Sequence, residues 1–162
     1  MQTSYGYNTP RGVAGMLRDL APYAIESRIN CETDAGVLMF GMGAVRGDKP
    51  GYNVAVPVTA STADEFEGIV MTGFTNEMSM EGDVRILSAQ TVGILRYGNA
   101  WVRIADGVEP EYGDAMYLVT SGADAGKFTN IDTDGIAVKG RFVGGADTYG
   151  IAPAEMFNQS QV

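Results

Sequence analysis

The chain has 162 residues, 45% of them hydrophobic, which suits one globular domain able to bury its own core. Its net charge is −9, from 20 acidic and 11 basic residues, and only Lys49, Lys127 and Lys139 are lysines. Affinity for phosphate comes from Lys and Arg displacing counterions, so this balance, with no basic run, excludes a nucleic-acid partner and a polybasic membrane contact.

Residues 1–30 read as an N-terminal arm, and 31–162 as a β-rich globular domain. Met1 to Gly15 combines Tyr5, Tyr7, Pro10 and several glycines with little periodicity, as an extended segment does. Aromatic residues on such an arm need burial, either on the chain's own body or on a neighbouring subunit. Met16 to Ile29 has room for a turn of helix, which Pro22 interrupts.

From Gly36 onward the pattern is β. Val37 to Val45 reads as a strand bulged at Gly41 and Gly43. Val54, Val56 and Val58 alternate as in a half-buried strand, and Phe66 to Phe74 forms another. Thr91 to Ile104 reads as a hairpin turning at Gly98-Asn99, a dipeptide suited to positive φ, with Val102 and Ile104 on the core face and Trp101 half-buried. Met116 to Thr120 and Lys127 to Ile131 form a second hairpin. Ile136 to Val138, Arg141 to Val143 and Ile151 to Phe157 supply the closing strands. Turns recur at roughly the 8–12-residue spacing of a sandwich or barrel. The fold expected is mostly β: a small antiparallel β-barrel or sandwich with an extended N-terminal arm.

Chemistry is sparse. The chain has no histidine, which removes the commonest general base and the commonest metal ligand. Cys31, the single cysteine, has no internal disulfide partner and no histidine to activate it, so a buried, inert thiol in a reducing compartment is expected. Gly122 to Thr129 (GADAGKFT) is like a phosphate-binding loop, but it has three residues between its glycines where four are required, and Phe128 follows the lysine. Asn130, Asp132, Asp134 and Gly135 match the opening of a calcium loop whose twelfth position is Arg141 where glutamate is needed. Arg46-Gly47-Asp48 is a three-residue chance match. Asp64, Glu65 and Glu67 read as a solvated acidic loop. No cofactor or metal is expected, and no enzymatic activity. No apolar run approaches the ~20 residues that span a bilayer, and the N-terminus lacks the order of a signal peptide, so synthesis in the cytoplasm is the expectation.

Several motifs recur in a familiar order: Pro10-Arg11-Gly12-Val13-Ala14-Gly15, Ser27-Arg28-Ile29-Asn30 and Phe40-Gly41-Met42-Gly43 come first. Phe66-Glu67-Gly68-Ile69-Val70, Thr91 to Gly98, Trp101-Val102 and Phe142-Val143-Gly144-Gly145 follow. In that order and spacing the chain, from about residue 5 to residue 157, resembles the structural cement, or decoration, proteins of tailed bacteriophages. The resemblance implies a virion protein on the capsid exterior that binds the major capsid protein, cements adjacent subunits and forms a homotrimer, with no catalytic residues. Tyr5, Tyr7, Pro10 and Arg11 are the expected contacts to the capsid or a neighbouring subunit. Two other classes of reading compete with it. One is a fibre or tail-associated receptor-binding module, and the other a carbohydrate-binding β domain built on Trp101, Tyr97 and Asp106.

Overall fold

A computed structural model of the chain describes residues 12–73 and 84–157. Among them lie nine strands and two single-turn 3-10 helices, Ala63–Glu65 and Asp132–Asp134. The strands are β1 (Ala24–Asn30), β2 (Gly43–Arg46), β3 (Asn53–Ala55), β4 (Phe66–Met71), β5 (Thr91–Arg103), β6 (Ala115–Val119), β7 (Phe128–Thr129), β8 (Gly135–Phe142) and β9 (Ile151–Met156).

The strands follow one another by hydrogen bonding as β1-β3-β2-β4-β5-β9-β8-β6-β7, and β1 also pairs with β5. That extra pairing closes β1, β3, β2, β4 and β5 into a five-stranded barrel. The remaining strands wrap back in the same manner: a bridge between Ile104 and Phe128, with the Ala105 N–H donating to the Phe128 carbonyl at 2.9 Å, brings β7 to the end of β5. The expectation of a barrel or sandwich resolves as a barrel, with a second group of strands built on the same long strand.

That strand carries the main correction to the sequence reading. Thr91 to Ile104 does not turn back at Gly98-Asn99; β5 runs through it for 13 residues. Gly98 has φ +125, far from the value of a tight hairpin turn, in the extended mirror region open to glycine alone. A Cβ there would stand 2.7 Å from Tyr23 Cβ. The glycine therefore bends the strand beneath a close neighbour and lets it change partners. Before it, β5 pairs with β1 and β4; after it, Gly98 to Arg103 pairs with β9.

The even-numbered side chains of β5 serve both cores. Val92 and Ile94 join Leu38, Ala44, Val54, Val70 and Ile86 inside the closed barrel. Ala100, Val102 and Ile104 join Met116, Leu118, Phe128, Phe142 and Met156 in the larger core. Val45, Phe66, Ile69, Met71 and Leu95 face that core from the barrel's side, where Phe66 meets Phe128 edge to face with centroids 6.3 Å apart. Val102 and Ile104 are buried and Trp101 half-buried, as the alternation predicts.

Smaller departures have local causes. The stretch with room for helix contains no helix; Ala24–Asn30 is β1, held between β5 and β3, where pairing on both edges outweighs local propensity. The run from Val37 becomes strand only at Gly43, because Gly41, at φ +81, turns the backbone so that its carbonyl accepts from Arg103. The hairpin through Gly122 to Gly126 forms as expected, with β6 against β7.

Candidate interaction surface

Tyr5, Tyr7, Pro10 and Arg11 lie outside the described residues. The chain that follows them is laid along β5. Gly12 sits flat on the Trp101 indole, where a Cβ would come within 2.2 Å of the ring. The Gly15 N–H donates to the Trp101 carbonyl (2.8 Å), Trp101 N–H to Met16 (3.0 Å), and Arg18 N–H to Asn99 (3.0 Å). On its other edge Gly15 accepts from Thr72 at 2.8 Å.

This braced stretch displays apolar side chains to solvent. Val13, Met16, Tyr23 and Ile25 are exposed, and Leu20 is 93% exposed at the tip of the turn. Tyr97, opposite Ala24 in the β1–β5 register, adds an exposed ring. The turn is held by Asp19, whose carboxylate accepts from Asn99 Nδ2 at 2.9 Å and from the Ala21 N–H at 3.1 Å. Those bonds, Asn99's first, hold the Asp19 carboxyl below its ordinary pKa of 3.8. A single exposed leucine is ordinary on a protein surface; here Leu20 stands with Val13, Met16, Tyr23, Ile25 and Tyr97 in a larger exposed apolar group.

A cluster of charges centred on Glu67 plays a different part. Glu67, expected in a solvated loop, is 8% exposed. Its carboxylate meets Arg96 at 2.7 Å, Arg46 at 3.5 Å and Arg28 at 3.8 Å, while Glu26 bridges Arg28 at 2.6 Å and Arg96 at 3.7 Å. The register explains it. Glu26 lies opposite Ile94 and Arg28 opposite Val92, so these charges share the face that carries the barrel's apolar core. The register between β2 and β4 slips at Glu67, where Ala44 pairs with Gly68 and Val45 with Phe66. A bulge of this kind breaks strict alternation and is invisible to pattern reading.

The remaining candidates for chemistry dissolve into structure. Lys127, in the phosphate-loop look-alike, is held by Asp124 at 2.7 Å. In the acidic turn, Asn130 Nδ2 donates to Asp114 at 2.8 Å. Among the described residues no group of three or more acidic or cysteine ligands is placed to hold a metal. Arg46 donates to the Asp64 carbonyl, Asp48 accepts from Asn53, and Glu65 caps the Thr62 N–H. Burial first, and then Glu32, raise the pKa of the Cys31 thiol, which keeps it protonated at neutral pH. Trp101 lies under Gly12, whereas Asp106 lies beyond the end of β5, 3.8 Å from Lys127. The aromatic and acidic groups of a sugar site are thus not brought together.

No curated protein matches the sequence. Among solved structures, a chain of the capsid of Myoviridae Phage XM1 is similar over 96% of both chains, with a TM-score of 0.73 and 18% identity, a likeness of fold. The family model for the structural cement protein (E217 gp24/Pam3 gp6) matches residues 1–156. The chain therefore belongs to the phage structural cement protein family.

Proposed function

We propose that the protein binds the outside of a phage capsid and clamps adjacent major capsid protein subunits, stabilising the head without catalysing any reaction. The braced apolar stretch from Val13 to Ile25 carries this reading. Its backbone is already ordered by β5, so burying those side chains on a partner costs little further conformational entropy. In this reading the residues ahead of β1 act as an arm on the β-rich body, to which β1 (Ala24–Asn30) itself belongs, and Tyr5, Tyr7, Pro10 and Arg11 extend the contact to the capsid or a neighbour. The working unit is a homotrimer, made in the host cytoplasm and added to the virion. Membership of a structural phage family supports the non-enzymatic role.

A cement protein stabilises a shell by binding assembled subunits more tightly than free ones, so its binding free energy adds to assembly. A contact of ~800 Å² per partner suffices for each site, and repetition over the lattice sums modest contacts. An exterior position also suits a charge of −9, which packed DNA would repel.

Cryo-electron microscopy of the parent particle tests the proposal. Ordered density for this chain across capsid subunit boundaries is expected, and a shell without it would overturn the reading. Removing residues 1–11 is expected to weaken attachment to shells far more than it lowers the melting temperature. Equal losses would count against an arm that acts in binding.

A further inference from the structure

The chain contains two Asp-Gly dipeptides, Asp106-Gly107 and Asp134-Gly135, and no asparagine precedes a glycine. An aspartate followed by glycine is a reactive junction in any backbone, because no side chain shields the glycine nitrogen from the neighbouring carboxyl carbon. Whether the two atoms meet depends on the freedom of the peptide between them, and there the two dipeptides differ.

Asp106-Gly107 forms the centre of the turn that follows β5, closed by the Val108 N–H donating to the Ala105 carbonyl at 3.3 Å. Gly107 has φ +76, as the third residue of a type II turn requires, and a Cβ built on it would meet nothing within 4 Å. The Asp106 side chain is 92% exposed, with Lys127 Nζ at 3.8 Å as its ion-pair partner. The Gly107 N–H and the Asp106 carbonyl take no hydrogen bond among the described residues, so the peptide joining them can rotate without breaking one. Gly135 is held in the opposite way. It lies in β8 opposite Val119, and a Cβ on it would collide with the Leu118 carbonyl. Its backbone must leave the ladder before its nitrogen can move.

We propose that Asp106-Gly107 is a site of spontaneous backbone isomerisation to isoaspartate. The Gly107 nitrogen bonds to the Asp106 carboxyl carbon and gives up its proton, one carboxyl oxygen leaves as water, and a five-membered succinimide closes. Water then adds to either ring carbonyl. Opening at the original side-chain carbonyl restores aspartate. Opening at the main-chain carbonyl carries the backbone through Cβ and Cγ, lengthens it by one carbon and frees the former main-chain carbonyl as a carboxylate. The water gained equals the water lost, and no oxidant or enzyme takes part. A turn lengthened by one carbon cannot keep Val108 in register with Ala105. That loosens the next bond back, in which the Ala105 N–H donates to the Phe128 carbonyl and ties β7 to the end of β5. The reaction involves no partner, so it stands or falls independently of the capsid reading.

The test ages purified full-length protein in warm, weakly acidic water enriched in heavy oxygen. Peptide mass spectrometry, with fragmentation that cuts between Cα and Cβ, then locates isoaspartate and the incorporated label. A free peptide carrying the same Asp-Gly turn sequence, aged alongside, calibrates the chemistry. At least about 10-fold more isoaspartate is expected at position 106 than at 134, with heavy oxygen in the converted chains. Equal conversion at the two positions overturns the proposal, as does an unconverted Asp106 under conditions that convert the peptide. Asp106→Glu keeps the charge on an exposed side chain but lengthens it, which disfavours the five-membered ring. The aged parent is expected to melt below fresh protein, whereas aged Asp106→Glu should melt as it did when fresh. Equal losses of melting temperature in parent and variant would refute the loosening drawn for the tie between β5 and β7.

Discussion

Leu20 separates binding from folding more cleanly than any other residue described. At 93% exposure its side chain has almost no contacts to lose, so Leu20→Ala is expected to change folding stability by less than about 0.5 kcal/mol. If the braced turn docks on a capsid, the same truncation removes three carbons from a buried interface. At about 0.8 kcal/mol per buried carbon, that is about 2 kcal/mol, or roughly 30-fold in affinity at each site. Leu95→Ala supplies the opposite control. Leu95 is fully buried where the barrel meets the larger core, and its truncation should cost about 2–5 kcal/mol of stability. Thermal melting of the isolated protein and co-sedimentation with shells measure the two quantities. Unchanged shell binding by Leu20→Ala would refute the assignment of this turn to the interface, and a large loss of melting temperature would refute the claim that the turn is displayed.

Three other perturbations probe the frame that holds the turn. Gly98→Ala must place a Cβ 2.7 Å from Tyr23 Cβ at a φ of +125, so a fall in melting temperature of several degrees is expected, and unaltered melting would show that β5 bends by other means. Glu67→Gln leaves Arg28, Arg46 and Arg96 around a neutral amide in a mostly buried site. A loss of about 3 kcal/mol, or roughly 6–12 °C, should appear in calorimetry, and no loss would mean that solvent already screens the cluster. The Asp19 brace has a pH dependence of fixed sign. Because its folded-state pKa lies below 3.8, its contribution is complete above that value and is lost as pH falls through the lower, folded value. The Asn99 side-chain amide resonance should therefore hold steady down to about pH 4 and shift only in stronger acid; movement between pH 5 and 7 would contradict the assignment.

The legible parts of this fold are those in which local pattern and tertiary environment agree. Val102 and Ile104 alternate with Trp101 and Arg103 on a strand with one buried face, and the sequence states this directly. Gly122 to Gly126 makes a tight turn between strands that pair with each other. What escaped were features decided by distant neighbours. Gly98-Asn99 has the composition of a hairpin, yet Gly98 is required by Tyr23, 75 positions earlier, and no window on the sequence contains both. Glu67 reads as loop because Asp64 and Glu65 beside it are loop, while the bulge that turns it toward three arginines leaves no local mark. The exposed turn at Leu20 was equally hidden. Residues 1–30 read as an arm, and only the structure shows β5 occupying the backbone edge of Gly15 to Arg18 while their apolar neighbours stay exposed. The resemblance to cement proteins, by contrast, was legible from the order and spacing of short glycine-containing motifs, and the family match over residues 1–156 agrees with it.

The way the strands close limits how such a protein can bind. An exposed strand edge is a template for unplanned pairing, a serious hazard for a protein present in many neighbouring copies. Among the described residues, β1 meets β5 to seal the barrel, and the bridge between Ile104 and Phe128 ties down β7 at the far end. Gly15, Met16 and Arg18 occupy the edge of β5 between Asn99 and Trp101, and Gly41 takes the Arg103 N–H that follows. With these backbone edges used internally, the proposed binding falls to side chains such as the leucine, methionine and tyrosine held out along the first described residues. Contacts of that kind engage a complementary lattice site yet give two stray copies no shared ladder on which to grow. The proposed role, in which copies stay separate while free and bind densely once a shell has formed, requires that combination.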